Sequence, residues 1–78
     1  MTNTQLKHFA KQSRTKQAKM FKYARIDLGV TQKVLAEMLE VYGYAGNTGT
    51  VAAWEQGSKK VPVLVYELVK ECFAERSK

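Results

Sequence analysis

The sequence predicts an all-α protein of one domain, with four or five short helices around a single core. Three observations predict this fold class. Apolar residues recur at helical spacing along most of the 78 residues, and the glycines at positions 29, 43, 46, 49 and 57 separate these segments. Strand signals are weak, because Pro62 interrupts the alternating valines and a helix-like pattern follows it. The length leaves room for one domain only.

Residues 1–14 are predicted to be either a basic tail or a short helix before the main domain, which spans residues 15–78. Nothing in this first segment demands burial, so both alternatives stay open. The helix would cover about residues 4–13, with Leu6, Phe9 and Ala10 on one face and Thr2 or Thr4 as its cap.

Two helices follow, and each has its own start or stop signal. The first runs from about residue 15 to residue 28 and ends at Gly29, because glycine suits the left-handed position after a helix. Thr31 caps the second helix by accepting a hydrogen bond from an amide of the first turn, and Gly43 can end it. The predicted buried residues are Phe21, Ala24 and Leu28 in the first helix, and Leu35, Ala36, Met38 and Leu39 in the second.

A third helix is predicted over about residues 48–56, between an Asn47 cap and Gly57. Val51 and Trp54 face inward on this helix, so we interpret the tryptophan as a core residue rather than a platform for stacking bases. A fourth helix begins near Pro62, which is tolerated in a first turn. Its apolar residues are Leu64, Leu68, Val69 and Phe73.

The positive charge is confined to the first third of the chain. Residues 1–26 hold seven lysines and arginines and no acid, whereas residues 27–78 hold six basic and seven acidic residues, so the net charge of +6 belongs to the first segment. Such a block favours a polyanion, because neutralising phosphates releases counterions. The alternative from charge alone is a solvated basic tail.

The remaining composition argues against several other classes of protein. Cys72 is the only cysteine, which excludes an internal disulfide framework and fits a reduced, cytoplasmic setting. No apolar run approaches the ~18 residues of a membrane span. One histidine, His8, and scattered carboxylates provide no nucleophile with its base and no metal spacing. We therefore expect no enzyme activity, no cofactor, no metal and no site for a small-molecule effector.

Several fragments together resemble one known family. The connection Gly43-Tyr44-Ala45-Gly46-Asn47 joins two short helices, as in a helix-turn-helix. Around it lie Arg25-Ile-Asp-Leu-Gly-Val-Thr-Gln32, then Leu35-Ala36, then Val51-Ala-Ala-Trp-Glu-Gln-Gly57 and Pro62. From about residue 21 to residue 73 the chain resembles the lambda-repressor-like, or Xre/Cro-type, helix-turn-helix proteins. The connection is several residues longer than is usual in that family, and Gly49 stands where a polar base-reading side chain is common.

The resemblance implies that the third predicted helix lies in the major groove with its N-terminal residues at the base edges. Asn47 either pairs with adenine or serves only as the cap. Side chains as small as these predict modest direct readout and more dependence on DNA shape. The implied base contacts are Asn47, Thr48, Gly49, Thr50 and Ala53.

Phosphate contacts are implied at the start of the second helix, in the loop after the third, and on the first. The resemblance also pairs Arg25 with Glu55, either partly buried and pinning the third helix, or as an exposed pair of little energetic weight. The implied phosphate contacts are Thr31, Gln32, Ser58, Lys59, Lys60, Lys16 and Lys19.

Taken together, these observations predict a sequence-specific transcriptional regulator that binds double-stranded DNA. We expect a repressor or autorepressor of phage or plasmid type, associated with the nucleoid in the cytoplasm of a bacterial or phage-infected cell. It would bind a palindromic operator as a homodimer. The last helix is the predicted dimer surface, through Leu64, Val65, Leu68, Val69, Cys72 or Phe73, unless these residues only close the monomer core. The alternative is a protein-interaction adaptor or antitoxin with the same fold.

Overall fold

The computed structural model describes residues 3–44 and 46–73, with side chains from residue 7 onwards. All the regular structure in these ranges is helical, as the sequence predicts. The last helix continues directly into a wider π-helical stretch, which we call the π segment. The elements are α1 (Asn3–Lys11), α2 (Arg14–Leu28), α3 (Gln32–Glu40), α4 (Thr48–Gln56), α5 (Val63–Glu67) and the π segment (Leu68–Phe73).

The predicted caps of α3 and α4 are confirmed. The Thr31 hydroxyl accepts a hydrogen bond from the Val34 amide, and the Asn47 side chain accepts one from the Thr50 amide. A cap on α2 that the sequence analysis missed is Ser13, whose hydroxyl accepts from the Lys16 amide and starts the helix one residue earlier than predicted. Each cap satisfies one of the amides that a helix start leaves unpaired.

Gly43 also ends its helix as predicted, although the regular part of α3 stops at Glu40. The Gly43 amide donates to the Glu40 carbonyl, and the Tyr44 amide donates to the Leu39 carbonyl at 3.1 Å. This pair of bonds, with Gly43 at φ 82°, is the Schellman arrangement. The chain leaves α3 in a fixed direction, and this turn takes up part of the long connection.

The core lies where α2, α3 and α4 meet the last helix. The packing pairs are α2 with α4, α3 with α4, and α2 with the π segment. The aromatic rings of Phe21 and Trp54 meet edge to face at 5.7 Å, which confirms the tryptophan as a core residue. Other buried members are Ala24, Leu35, Ala36, Leu39, Val51, Val61, Val65, Val69 and Phe73.

The first segment is a helix, and the expectation that nothing in it demands burial is wrong. Phe9 is 0% exposed and stacks on Tyr66 of α5, with ring centroids 3.9 Å apart. The buried Gln17 side chain donates to the Phe9 carbonyl at 2.9 Å and so joins α1 to α2. Thr4 lies inside α1 rather than before it, and Thr2 lies outside the described residues.

Half of the predicted dimer surface belongs to the core instead. Val65, Val69 and Phe73 are buried, because α1 packs on α5 and α2 packs on the π segment. The residues that face outward are Leu64, which is exposed, Leu68, which is half-buried, and Cys72, which is exposed. No helix of the described residues is both long enough and apolar enough to cross a membrane.

Candidate nucleic-acid interface

A polar junction connects α2, α3 and α4 and begins at Arg25. The Arg25 Nε donates to the Glu55 Oε2 at 2.7 Å, and its Nη2 donates to Oε1 at 3.2 Å. A third guanidinium nitrogen, Nη1, donates to the Val30 carbonyl at 2.8 Å. The forked guanidinium therefore holds the carboxylate of α4 and the backbone just before α3 at the same time.

Gln32 completes this junction from the first turn of α3. Its Nε2 donates to the Glu55 Oε1 at 3.2 Å. The side chains of Arg25 and Glu55 are only 14% and 3% exposed, so the partly buried form of the predicted pair is confirmed. Because charged hydrogen bonds are directional, the junction fixes how α4 is rotated against α2 and α3.

α3 begins at the surface, where its first backbone amides lack hydrogen-bond partners among the described residues. Thr31 uses its hydroxyl and its carbonyl for the amides of Val34 and Leu35. Within the described residues this leaves the amides of Gln32 and Lys33 without a partner, since the first turn of a helix has none of its own. These amides and the helix dipole form a local positive end that suits a phosphate oxygen.

The predicted base-contact residues at the start of α4 differ in exposure and in their part in the helix cap. Asn47 Oδ1 accepts from both the amide and the hydroxyl of Thr50, at 2.8 and 3.1 Å, so Asn47 caps the helix as predicted, and its pairing with adenine stays a prediction. Thr50 is half-buried and its hydroxyl proton is committed to that bond, whereas Thr48 and Gly49 are exposed. The side-chain amide nitrogen of Asn47 makes no hydrogen bond to the described residues.

The outward face of α4 is smooth and contains two residues that the sequence analysis missed. Val51, Trp54 and Glu55 point inward. Because successive residues of a helix are about 100° apart, these three determine which residues lie on the opposite face. It carries Gly49, Ala52, Ala53 and Gln56, which we call the α4 stripe. Ala52 and Gln56 follow Gly49 at i+3 and i+7, a spacing visible in the sequence. Gln56 is exposed and is the one long polar side chain of the stripe.

The loop after α4 lies against α2. A Cβ atom placed on Gly57 would meet the Ala18 Cβ at 4.0 Å, so the backbone turns away directly beside α2. The next three residues, Ser58, Lys59 and Lys60, are all exposed. The predicted phosphate contacts of this loop are therefore free to reach a ligand on the α2 side of α4.

The lysines and arginines of α2 differ in how they face this loop. Arg14 and Lys22 lie one turn before and after Ala18, on the edge next to Gly57, and both are exposed. Lys19 and Lys16 point roughly 100° and 160° away from Ala18 around the helix. Lys16 and Lys19 were predicted from the sequence, whereas Arg14 and Lys22 were missed, because the contact between Gly57 and Ala18 that singles them out has no signal in the sequence.

The remaining candidate for a chemical site is a cluster of metal ligands. Among the described residues, no three histidine, cysteine, aspartate or glutamate side chains come together as metal ligands would. His8 lies exposed on α1, where the Gln12 side chain contacts its ring. Comparisons with protein-family models, with curated proteins and with solved structures return no match to this chain.

Proposed function

We propose that this chain is a sequence-specific regulator that binds duplex DNA, with α3 and α4 as a helix-turn-helix and the α4 stripe in the major groove. The observation that carries the proposal is the junction of Arg25, Glu55 and Gln32. This junction links α4 to the start of α3, where free amides suit a phosphate. A helix held at a fixed rotation is what register on base edges requires.

The α4 stripe suits close approach to the base pairs rather than a dense set of hydrogen bonds. Gly49, Ala52 and Ala53 add almost no bulk, so the helix backbone can lie deep in the groove. Alanine and threonine methyls match the thymine methyl, and Gln56 has the two groups that pair with adenine N6 and N7. Fewer polar contacts leave a larger share of specificity to DNA shape.

Phosphate contacts on both flanks would hold this helix in register. On one flank lie the Gln32 and Lys33 amides and the second hydrogen of the Gln32 side-chain amide, which Glu55 leaves unused. On the other flank lie Lys59 and Lys60, in the loop that leaves α4 beside Ala18 of α2. Contacts of this kind position a protein on DNA without reading its sequence.

The experiment that tests this proposal starts with selection of binding sites from a random duplex pool. Binding to the enriched site, followed by fluorescence anisotropy, should weaken steeply as salt rises. Lys59→Ala and Lys60→Ala should each lower the slope of log K against log salt by about 1. Lys70→Ala is the matched control, because this exposed lysine lies on the π segment and should leave the slope unchanged.

A second variant separates base readout from phosphate contact. Gln56→Ala should relax the preference at one base pair and cost about 1–3 kcal/mol on the enriched site, while the salt slope stays as in the unaltered protein. If no sequence is enriched, or if binding is indifferent to salt, the DNA proposal fails and the adaptor alternative is favoured. Repression and a palindromic operator bound by a homodimer stay predictions of the sequence.

A further inference from the structure

The long connection between α3 and α4 forms one wall of a groove that lies outside the proposed DNA interface. Tyr42 and Tyr44 of this connection face Leu64, Glu67, Leu68 and Cys72 across a cavity of about 260 Å³. Leu64 is 60% exposed at its rim, and the Tyr42 ring rests on Phe73 at 5.6 Å. We call it the acidic groove, because Glu67 lines it. Small-molecule pockets are usually about 300–1,000 Å³, so the acidic groove is smaller and has room for one or two side chains.

A second exposed apolar surface lies on the outer side of α2. Lys19, Tyr23 and Ile26 occupy positions i, i+4 and i+7, which place them in one row along the helix. Tyr23 is 61% exposed and Ile26 is 49% exposed, so neither side chain belongs to the core. Lys16 and Lys22 lie beside this row, which we call the α2 row, and give it a positive margin.

The two surfaces are complementary in shape and charge. The α2 row is convex, apolar and positive, whereas the groove is concave, apolar and has Glu67 as its charged lining residue. The α2 row cannot reach the groove within one molecule, because the opposite face of α2 packs on α4 and the π segment. We propose that the α2 row of one copy occupies the acidic groove of a second copy, in a head-to-tail contact.

A symmetric pairing of two grooves is disfavoured by the same residues. A two-fold axis through the groove would bring two Glu67 carboxylates together, and juxtaposed like charges disfavour an interface. A contact between two different surfaces leaves each copy with one surface of each kind still free, so assembly continues beyond a pair unless it closes into a ring. This inference concerns the protein alone and is independent of DNA binding.

The test is sedimentation equilibrium without DNA at about 0.15 M salt, where a Debye length of about 8 Å screens the repulsion between copies. The unaltered protein should exceed its 8.8 kDa monomer mass progressively with concentration. Leu64→Glu should block only the groove, and Ile26→Glu should block only the α2 row. Each change should weaken association at least about tenfold, since it places a carboxylate in an apolar contact.

Mixing the two variants distinguishes this contact from any symmetric one. Leu64→Glu retains an intact α2 row and Ile26→Glu retains an intact groove, so an equimolar mixture should form pairs of twice the 8.8 kDa monomer mass and nothing larger. Val34→Glu is the matched control, because Val34 is 41% exposed on α3, outside both surfaces, and should assemble like the unaltered protein.

Charge reversal provides an independent second test. Lys19→Glu and Glu67→Lys should each weaken assembly alone, and their mixture should restore it, because every contact between unlike copies again pairs opposite charges. Three results would overturn the inference: a protein that stays monomeric up to millimolar concentration, a closed dimer that mixing the blocked variants does not restore, or an equal loss of assembly in Val34→Glu. Thermal melts of each variant establish that it is folded.

Discussion

The two ends of this molecule are held together by different kinds of contact. At one end, Arg25, Glu55 and Gln32 join three helices through charged and amide hydrogen bonds. At the other end, Phe9 of α1 stacks almost parallel on Tyr66 of α5, at an interplanar angle of 8°. Hydrogen bonds fix direction, whereas apolar burial is non-directional and scales with area. The end where we propose that DNA binds is therefore the directional one.

The contrast separates stability from function. Loss of contact at the apolar end should lower the free energy of unfolding but leave the α4 stripe where it is in molecules that remain folded. Loss at the polar junction should affect both quantities, since the same hydrogen bonds hold the fold and set the rotation of α4. The following changes test that division from the largest expected effect to the smallest.

The largest effect is expected from Phe9→Ala. Removal of a fully buried ring leaves a cavity between α1 and α5, and such a change costs about 3–5 kcal/mol in protein cores. A domain of this size has about 4–12 kcal/mol in total at 0.05–0.15 kcal/mol per residue, so the midpoint of urea unfolding should fall sharply. Trp54 fluorescence reports the transition.

Lys7→Ala is the control for this change, because Lys7 is exposed on the same helix and should shift stability by less than about 0.5 kcal/mol. At a temperature where Phe9→Ala is folded, its affinity for the enriched duplex should equal that of the unaltered protein. A large loss of affinity there would contradict the division between the two ends.

The next effect is expected from Glu55→Ala, which leaves the Arg25 guanidinium without its carboxylate. Removal of one partner of a buried pair costs about 3–5 kcal/mol, and we expect the lower value, about 3 kcal/mol, because Arg25 keeps 14% of its side chain exposed. DNA affinity should fall as well, since α4 loses the contact that sets its rotation. Urea unfolding and anisotropy measure the two losses.

Glu37→Ala is the matched control, since Glu37 is exposed on α3 and should change stability by less than about 0.5 kcal/mol. A double-mutant cycle with Arg25→Ala isolates the pair itself. Coupling near zero would mean that the two side chains act separately and that their hydrogen bonds do not set the rotation of α4.

Most of the fold could be predicted from the sequence, because the helices begin and end at residues whose effect is local. A threonine or asparagine before an apolar row and a glycine after it act within one helical turn, as Thr31, Asn47 and Gly57 do here. The burial of Phe9 was not accessible in this way. Its partner Tyr66 lies 57 residues further along the chain, and only tertiary packing brings the two rings together.

Residues of the candidate site could be predicted where helical periodicity determines which face they lie on. They could not be predicted where their position depends on a contact between two separate elements. The inward positions of Val51 and Trp54 determine the outward ones, so Ala52 and Gln56 were within reach of the pattern. The choice between Lys19 and Lys22 was not, because it depends on the contact of Gly57 with Ala18, between a loop and a helix. The groove wall at Tyr44 likewise follows from a connection whose path has no periodic signal.

A smaller effect is expected from Gln17→Leu, which tests the hydrogen bond between α1 and α2 at the apolar end. Gln17 donates to the Phe9 carbonyl, and the Gln12 amide donates to the same carbonyl at 3.1 Å. Because that acceptor keeps one donor, the loss should be about 1 kcal/mol, the lower part of the range for a hydrogen bond lost in a buried site. Gln12→Leu is the control in the urea experiment. A larger loss of unfolding free energy for Gln17→Leu than for Phe9→Ala would contradict the view that burial of apolar surface stabilises this end.

The smallest effect concerns the response of the apolar end to alkaline pH. Burial raises the pKa of Tyr66 above its ordinary value of 10.0, because the charged phenolate is poorly solvated there. A folded pKa above the unfolded one contributes stability that is fully present below pH 10 and is lost as the pH rises through the folded pKa. The loss is at most about 1.4 kcal/mol per pH unit, and less here because Tyr66 keeps 7% of its surface exposed. The unfolding free energy of Tyr66→Phe should therefore fall less between pH 9 and pH 11 than that of the unaltered protein, while Tyr23→Phe, altered at an exposed tyrosine, should follow the unaltered protein. Equal declines in all three would show that the ring of Tyr66 is buried without its hydroxyl, so that the contact with Phe9 is apolar throughout.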